Sequence, residues 1–593
     1  MRFGTSLCYI WLKLSSHECA LIAYVITSRK KGQRKSVGTK VLIIGLDGAT
    51  PELLERWVEE DKLPNLKQIM QKGVYGKLRS VYPPISPAAW TRFATGYNPG
   101  KHGVYDFRDY DNTRYSCFAD TIVDSNSFAG KTIWDLVGTA GQKVGVVTVP
   151  VTYPAWKVNG FMISGYPTPD TGKNFTYPPE LGKTIPQMVG DAAFFKSATH
   201  HVLLKEMNRL MHVSTDTSIE QMKKDDYGLF IMVVGATDRA HHDWWKYIDP
   251  EHPAYDAEEA KLYGDLILEV YREADACVGK FVDAIDDDTT VFVMSDHGGG
   301  SHPKYYLNTN YLLRTCNLLK PSVKASNAKG GLKGAFKQFY RTRIRRFPYL
   351  EKVYRSLPQS LKKVATNLDS QTMMNLDTID WKHTKAYRFP MYPPVEGIMI
   401  NVVGRQPEGC VQPGEEYEAV RTHILEEVRN LRDPQTGELI VLEAYRREEL
   451  YKGERLETAP DLILVTRDEY KGGTSVDELI SEVPLDVISK LSGVHRMDGI
   501  ILAQGPHIRH NARIEGAGII DVAPTVMYTL GIPIPSDMDG KPLAGLFEET
   551  YTQQAEAAYT DERKHEDVGS DEYGYSEEEE ESVRLKLEAL GYL

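Results

Sequence analysis

The sequence predicts an α/β protein with a mostly parallel central sheet flanked by helices and an inserted cap. Three short, continuous apolar runs recur, at residues 41–46, 228–234 and 289–294, and each is followed within a few residues by an aspartate. A strand that is apolar on both faces is one covered by helices on both faces. Stretches of helical spacing separate the runs, as in Leu53, Leu54, Trp57, Leu63, Leu66 and Ile69, and again over residues 257–285. Strands alternating with helices in this way build a parallel sheet. With 593 residues, 41% of them hydrophobic, the chain can bury a large core. At roughly 150 residues per unit it holds about four domain-sized pieces, or one large domain with insertions.

Taken in order, residues 1–37 read as an N-terminal extension. Its apolar stretches are interrupted by Lys13, His17 and Glu18, and neither approaches the roughly 18 apolar residues of a membrane span. The cluster Arg29, Lys30, Lys31, Arg34 and Lys35 follows the apolar part, whereas a signal peptide carries its charge in front. Contact of this extension with a membrane surface is the less favoured alternative. Residues 38–304 form the first part of the catalytic core, with a further strand over residues 143–149. Residues 305–480 read as the inserted cap. Its segment 320–363 holds thirteen Lys or Arg against the single Glu351, and residues 396–480 form a small α/β lobe. The core resumes over 481–550, and 551–593 is an acidic tail. Within the tail, Ser576 and Glu579 have capping-box spacing, and Val583, Leu587 and Leu590 form an apolar stripe, which predicts a terminal helix.

The balance of 82 acidic against 70 basic residues, a net charge of -12, argues against nucleic-acid binding. The six cysteines, Cys8, Cys19, Cys117, Cys277, Cys316 and Cys410, have no paired or zinc-ribbon spacing. Reduced thiols in a cytoplasmic protein are the expectation. Oligomeric state is not legible in the chain.

Candidate chemistry gathers at the strand ends. Asp47 closes the first run, Asp238 follows the second through Gly235-Ala236-Thr237, and Asp296 follows the third through Ser295. Each alone reads equally well as a helix cap or turn residue. Asp238 and His242 lie four apart, which on a helix puts them on one face. Asp296 and His297 are adjacent and precede Gly298-Gly299-Gly300, which permits a tight, closely approached turn. Such nitrogen and carboxylate groups suit zinc, with manganese as an alternative. Ser86 lies in a proline-restricted segment and becomes a nucleophile if a base or a cation takes its proton. The same serine also reads as a cap of the helix carrying Trp90 and Phe93. His102, His302, Arg92 and Arg239 are lesser candidates for substrate contact.

The ordered set Asp47, Ser86, Asp238-x-x-x-His242, Asp296-His297 and His495 in Gly493-Val494-His495-Arg496 resembles the type I phosphodiesterase and nucleotide pyrophosphatase branch of the alkaline phosphatase superfamily. The resemblance covers residues 40–305 and 490–545 and implies an alkaline phosphatase-like fold. It implies two divalent metal ions, one held by Asp238, His242 and His495, the other by Asp47, Asp296, His297 and Ser86. It further implies that Ser86 is the nucleophile, that a phosphoseryl intermediate forms, and that water activated at the first metal hydrolyses it. The implied substrate is a small anionic phosphoester. The family's Asn three residues after the nucleophile is here Ala89, so a donor to the phosphate oxygens is missing or comes from elsewhere. Pro87 directly after Ser86 departs from the sulfatase pattern. The alternatives are a phosphomonoesterase, a phosphoglycerate mutase-like phosphotransferase, or a binding protein that keeps the metals without turnover.

Overall fold

Nine strands form the central sheet of the protein, a computed structural model that describes residues 40–169, 173–188, 198–322, 376–561, 574–590 and 592. The N-terminal extension and the basic stretch from residue 323 onward lie outside the described residues. Numbered along the chain within this sheet, the strands are β1 (Lys40–Leu46), β2 (Val74–Arg79), β3 (Lys143–Val149), β4 (Gly160–Ser164), β5 (Thr176–Tyr177), β6 (Tyr227–Val234), β7 (Thr289–Met294), β8 (Asp498–Gln504) and β9 (Ala512–Gly518). Their spatial order is β9-β2-β8-β7-β1-β6-β3-β4-β5.

The sheet is mostly parallel, since β1 pairs parallel with β6 and β7, β3 with β4 and β6, and β2 with β9. Strand β8 runs against both β2 and β7, and the short β5 runs against β4. Apolar side chains leave both faces, as the strand signature requires. Val41 and Ile43 of β1 join one core with Trp90, Phe93 and Trp134, while Leu42, Ile44 and Leu46 join another with Leu54, Trp57 and Phe281. The helices covering the sheet supply those partners.

Between β7 and β8 the chain makes a long excursion that includes a four-stranded antiparallel sheet. Its strands lie in the order Ala386–Phe389, Val395–Ile400, Leu462–Thr466, Val441–Arg446. The helix Glu415–Arg429 supplies Val420, Ile424, Leu425 and Val428 to the same core. The excursion leaves and returns through one ladder, in which Gly298–Ser301 pairs antiparallel with Gly493–Arg496. Here the glycines are required. A Cβ on Gly299 would stand 2.1 Å from His241 Nδ1, and one on Gly298 would stand 2.2 Å from the Asp498 carbonyl oxygen.

The tail carries the helix Glu577–Leu590, opened by a reciprocal capping box. Ser576 N donates to Glu579 Oε2 at 3.0 Å, and Glu579 N donates to Ser576 Oγ at 3.3 Å. Val583 and Leu587 are fully buried in the main core. At about 1.5–3 kcal/mol per buried aliphatic side chain, these two suffice to hold an acidic helix against the body. Among the described residues, no helix is long and apolar enough to cross a membrane.

Candidate active site

Strands β7, β1 and β6 are neighbours in register, with Gly45 opposite Met294 and Leu46 opposite Val234. Their carboxyl ends therefore deliver Asp296, Asp47 and, one helical turn later, Asp238 to a single place. Open α/β sheets bind their ligands there. Gly48 makes the convergence fit. Its φ of +68° suits glycine, its N–H donates to Asp296 Oδ1 at 3.1 Å, and a Cβ there would meet Asp238 Cβ and Oδ1 at 2.9 Å. Gly48→Ala is thus expected to lower the melting temperature and weaken cation binding by at least about tenfold, since both strain and a displaced carboxylate follow. Thermal unfolding and a metal titration check it.

Ser86 opens the helix Ser86–Thr95, whose N-cap is Ile85 with no side-chain capping bond, so the serine hydroxyl is not used as a cap. Its Oγ instead stands 3.3 Å from His297 Nε2. The same nitrogen lies 3.2 Å from Asp296 Oδ2 and 3.6 Å from Asp47 Oδ1. His297 Nδ1 donates to the Gly298 carbonyl at 3.0 Å. In a serine–histidine–acid triad the acid sits on the other ring nitrogen and orients it. Here every oxygen faces one nitrogen, an arrangement that a shared cation explains and a proton relay does not. One turn into the helix, Trp90 Nε1 donates to Asp47 Oδ2 at 2.8 Å, fixing that carboxylate from behind.

The second cluster lies alongside. His242 Nε2 is 3.2 Å from Asp238 Oδ2 and 3.2 Å from His495 Nε2, which is itself 3.4 Å from Asp238 Oδ1. His242 Nδ1 donates to the Gly493 carbonyl and His495 Nδ1 to the Pro84 carbonyl, both at 2.7 Å. Because a carbonyl only accepts, all three imidazoles carry a proton on Nδ1 and face Nε2 inward, the atom that metal-ligating histidines so held offer to the ion. The rings of His297 and His495 stack at 3.6 Å and join the two clusters. All seven residues singled out in the sequence are therefore brought together, and all are buried. His241, next to His242, belongs to neither cluster, since its Nε2 lies 3.0 Å from Tyr271 Oη instead.

The residues fit two cations. Asp47 Oδ1, Asp238 Oδ1 and Asp296 Oδ2 are buried without a hydrogen-bond partner, and a lone buried charge costs several kcal/mol unless something neutralises it. Burial, reinforced by the neighbouring Asp296 and Asp238 carboxylates, pushes the Asp47 carboxyl well up. Burial pushes Asp296 up to about 7. Burial would raise Asp238 too, but in the cation-free protein a protonated His242 outweighs it and holds that carboxyl well below its ordinary value. Burial and the neighbouring His297 depress His495 to about 3, which keeps its imidazole neutral. The two sides of the site differ in charge accordingly.

A pH dependence follows for the cation-free protein. Folded Asp296 keeps a proton up to about pH 7, whereas the unfolded side chain loses it near 3.8. The contribution of Asp296 to the stability of the stripped protein therefore falls as pH rises from about 4 to 7 and levels off above that window. Asp238, whose carboxyl is held well below 3.8, is charged in both states and adds no slope above about pH 5. A chelator is expected to lower the melting temperature by more at pH 8 than at pH 5, which parallel thermal scans measure.

A cavity of about 200 Å³ opens from Asp47, Ser86, Asp238 and His242 onto Met188, Met207, Leu210, Met211 and Met232, with Phe107, Tyr166 and Tyr592 also on its wall. Of the lesser candidates, Arg239 lines this cavity and pairs with Asp243 at 2.7 Å. His302 is buried near Lys471, His102 Nδ1 accepts from the nearby Val104 N at 3.1 Å, and Arg92 is desolvated away from the cavity. Tyr392 and Tyr592, with no signal in the sequence, pack around His495 at 4.2 Å and 6.2 Å between ring centres. A further grouping, Cys316, His423 and Glu427, lies in the excursion, away from the sheet ends.

Comparison with known proteins gives a family. The sequence profile described as type I phosphodiesterase / nucleotide pyrophosphatase matches residues 41–477. Among curated proteins there is no match. Among solved structures, the chain is similar to murine ectonucleotide pyrophosphatase / phosphodiesterase 5, with 14% identity over 86% of this chain and 100% of that one and a TM-score of 0.43. It is similar to the human protein of the same name, with 15% identity over 87% and 99% and a TM-score of 0.41. An inactive form of the murine protein in complex with AMP has 14% identity over 83% and 95%, with a TM-score of 0.41. The profile covers most of the chain, including Asp47, Ser86, Asp238, His242, Asp296 and His297, and the chain therefore belongs to the type I phosphodiesterase / nucleotide pyrophosphatase family of phosphoric ester hydrolases.

Proposed function

We propose that the protein hydrolyses phosphodiesters, with Ser86 as nucleophile and two divalent cations bound in its two clusters. The observation that carries this reading is the convergence of Ser86 Oγ, Asp47 Oδ1 and Asp296 Oδ2 on His297 Nε2, within 3.6 Å. Asp47, Asp296, His297 and Ser86 would hold one cation, and Asp238, His242 and His495 the other. When bound, such cations lower the pKa of a coordinated hydroxyl and neutralise the charge of the transferring phosphoryl group. Ser86 Oγ, freed of its proton, bonds to phosphorus as the bond to the leaving alcohol breaks, and water later splits the phosphoseryl ester. Trp90 and Gly48 hold the Asp47 and Asp296 carboxylates in place through this exchange.

Zinc is the proposed metal and manganese the alternative, because the donors are imidazole and carboxylate without thiolate. The apolar wall of methionines beside Ser86 favours an apolar substituent on the diester. Among the described residues, Cys117, Cys277, Cys316 and Cys410 form no disulfide with one another, in keeping with a proposed cytoplasmic location, which cell fractionation would test. The function itself is tested by assaying bis(p-nitrophenyl) phosphate and p-nitrophenyl phosphate in parallel, each with zinc, with manganese and with a chelator. Faster cleavage of the diester, lost on chelation, is expected. Preference for the monoester would turn the reading to a phosphomonoesterase, and inertness with every metal to a binding protein.

A further inference from the structure

The helix Ser86–Thr95 offers no donor to a phosphate oxygen at Ala89, which is fully buried in the apolar core. Phosphoryl transfer depends on donors placed where negative charge gathers. Such a donor arrives from the far end of the chain. Tyr592 Oη stands 3.3 Å from Asp238 Oδ2 and 3.3 Å from His242 Nε2, on the wall of the cavity that contains Ser86.

This placement is built rather than incidental. The Tyr592 ring packs on Phe107 at 4.8 Å and on Tyr392 at 6.1 Å between centres. The preceding helix is pinned by more than its apolar stripe. Lys586 Nζ, itself buried, donates to the Thr168 carbonyl at 2.6 Å, Tyr153 Oη donates to Glu579 Oε1 at 2.5 Å, and Arg584 donates to the Asp120 carbonyl at 3.0 Å. Nothing in that effort concerns the sheet, and its effect is to fix one phenol beside two groups that could hold a cation. Once a cation takes the His242 Nε2 lone pair and draws on Asp238 Oδ2, the first no longer accepts from the phenol and the second accepts less strongly. Its proton is then directed to the next acceptor in the cavity.

We propose that Tyr592 is a catalytic residue whose hydroxyl donates a hydrogen bond to a non-bridging phosphoryl oxygen of the substrate, filling the role left open at Ala89. No bond is made or broken at the tyrosine, and it stays protonated throughout. The proposal rests on the phosphohydrolase reading above.

The test uses the full-length, metal-loaded protein with bis(p-nitrophenyl) phosphate as substrate and orthovanadate as a mimic of the pentacoordinate phosphoryl group. Tyr592→Phe keeps the ring and its packing and removes only the hydroxyl. With melting temperature and metal content unchanged, it is expected to lose about 10²-fold in kcat. Its affinity for orthovanadate should fall in parallel. Unchanged kcat and unchanged orthovanadate affinity would overturn the proposal. So would a loss seen in Tyr592→Ala but not in Tyr592→Phe, which would make the ring a structural element. A gain in activity in Tyr592→Phe would also overturn it, identifying the tyrosine as an obstruction of the site. Wild-type protein that neither cleaves the diester nor binds orthovanadate would overturn the phosphohydrolase reading itself, and the role of Tyr592 with it.

Discussion

Alanine at Ser86 is expected to lower turnover by about 10³-fold or more while the protein folds, melts and binds cations almost as before. The hydroxyl is buried and makes no capping bond, so the helix Ser86–Thr95 loses nothing by its removal. Two of the three oxygens around His297 Nε2, those of Asp47 and Asp296, remain, and so does the imidazole itself. The measurement is steady-state kinetics alongside metal analysis and a thermal scan. Wild-type turnover in Ser86→Ala would remove the serine from the mechanism. Rapid quenching of the wild-type enzyme should in addition trap phosphate on Ser86, and the variant should trap none.

The second large effect separates the two clusters. Asp296→Asn is expected to cost the cation beside Ser86, leaving one equivalent of metal in place of two and abolishing formation of the phosphoseryl ester. It should also make the stripped protein more stable above pH 7, because the replaced carboxyl is one that burial holds protonated up to about 7. That opposite pair of outcomes, weaker metal binding with a firmer apo fold, distinguishes a ligand from a structural residue. His242→Ala should instead spare the first step and slow hydrolysis of the ester, so that phosphoenzyme accumulates. Two bound metals and normal turnover in His242→Ala would refute its assignment.

Much of this arrangement was legible before any coordinates. Asp47, Asp238 and Asp296 could be read as strand-end acids because a buried parallel strand is a continuous apolar run with an abrupt polar end, and that pattern is local. The direction of β8 was not legible, since an apolar run such as Ile500–Ile501–Leu502 reads the same whichever way the strand points. His495 carries no local signal and entered only through resemblance to a family. Even the family profile stops at residue 477, short of His495 and of Tyr592. The need for glycine at position 48 and the bond from Trp90 to Asp47 are tertiary facts. Both depend on how closely two distant segments approach, which no periodicity encodes. The tail helix was announced by its capping box and apolar stripe, but where the chain would lead after it was not.

The ladder that joins Gly298–Ser301 to Gly493–Arg496 has a consequence for how the chain tolerates change. The chain that leaves by the first of these strands comes back by the second, within a few ångströms of its departure, beside His297 and His495. The span so enclosed is a closed loop in the polymer sense, and its entropy cost grows only with the logarithm of its length, by about 0.6 kcal/mol per doubling. Material can therefore be added to or removed from this excursion at little expense to the sheet. The four paired residues keep the two imidazoles facing each other whatever the loop contains, so the outer lobe is free to diversify while the two clusters at the sheet ends stay where they are.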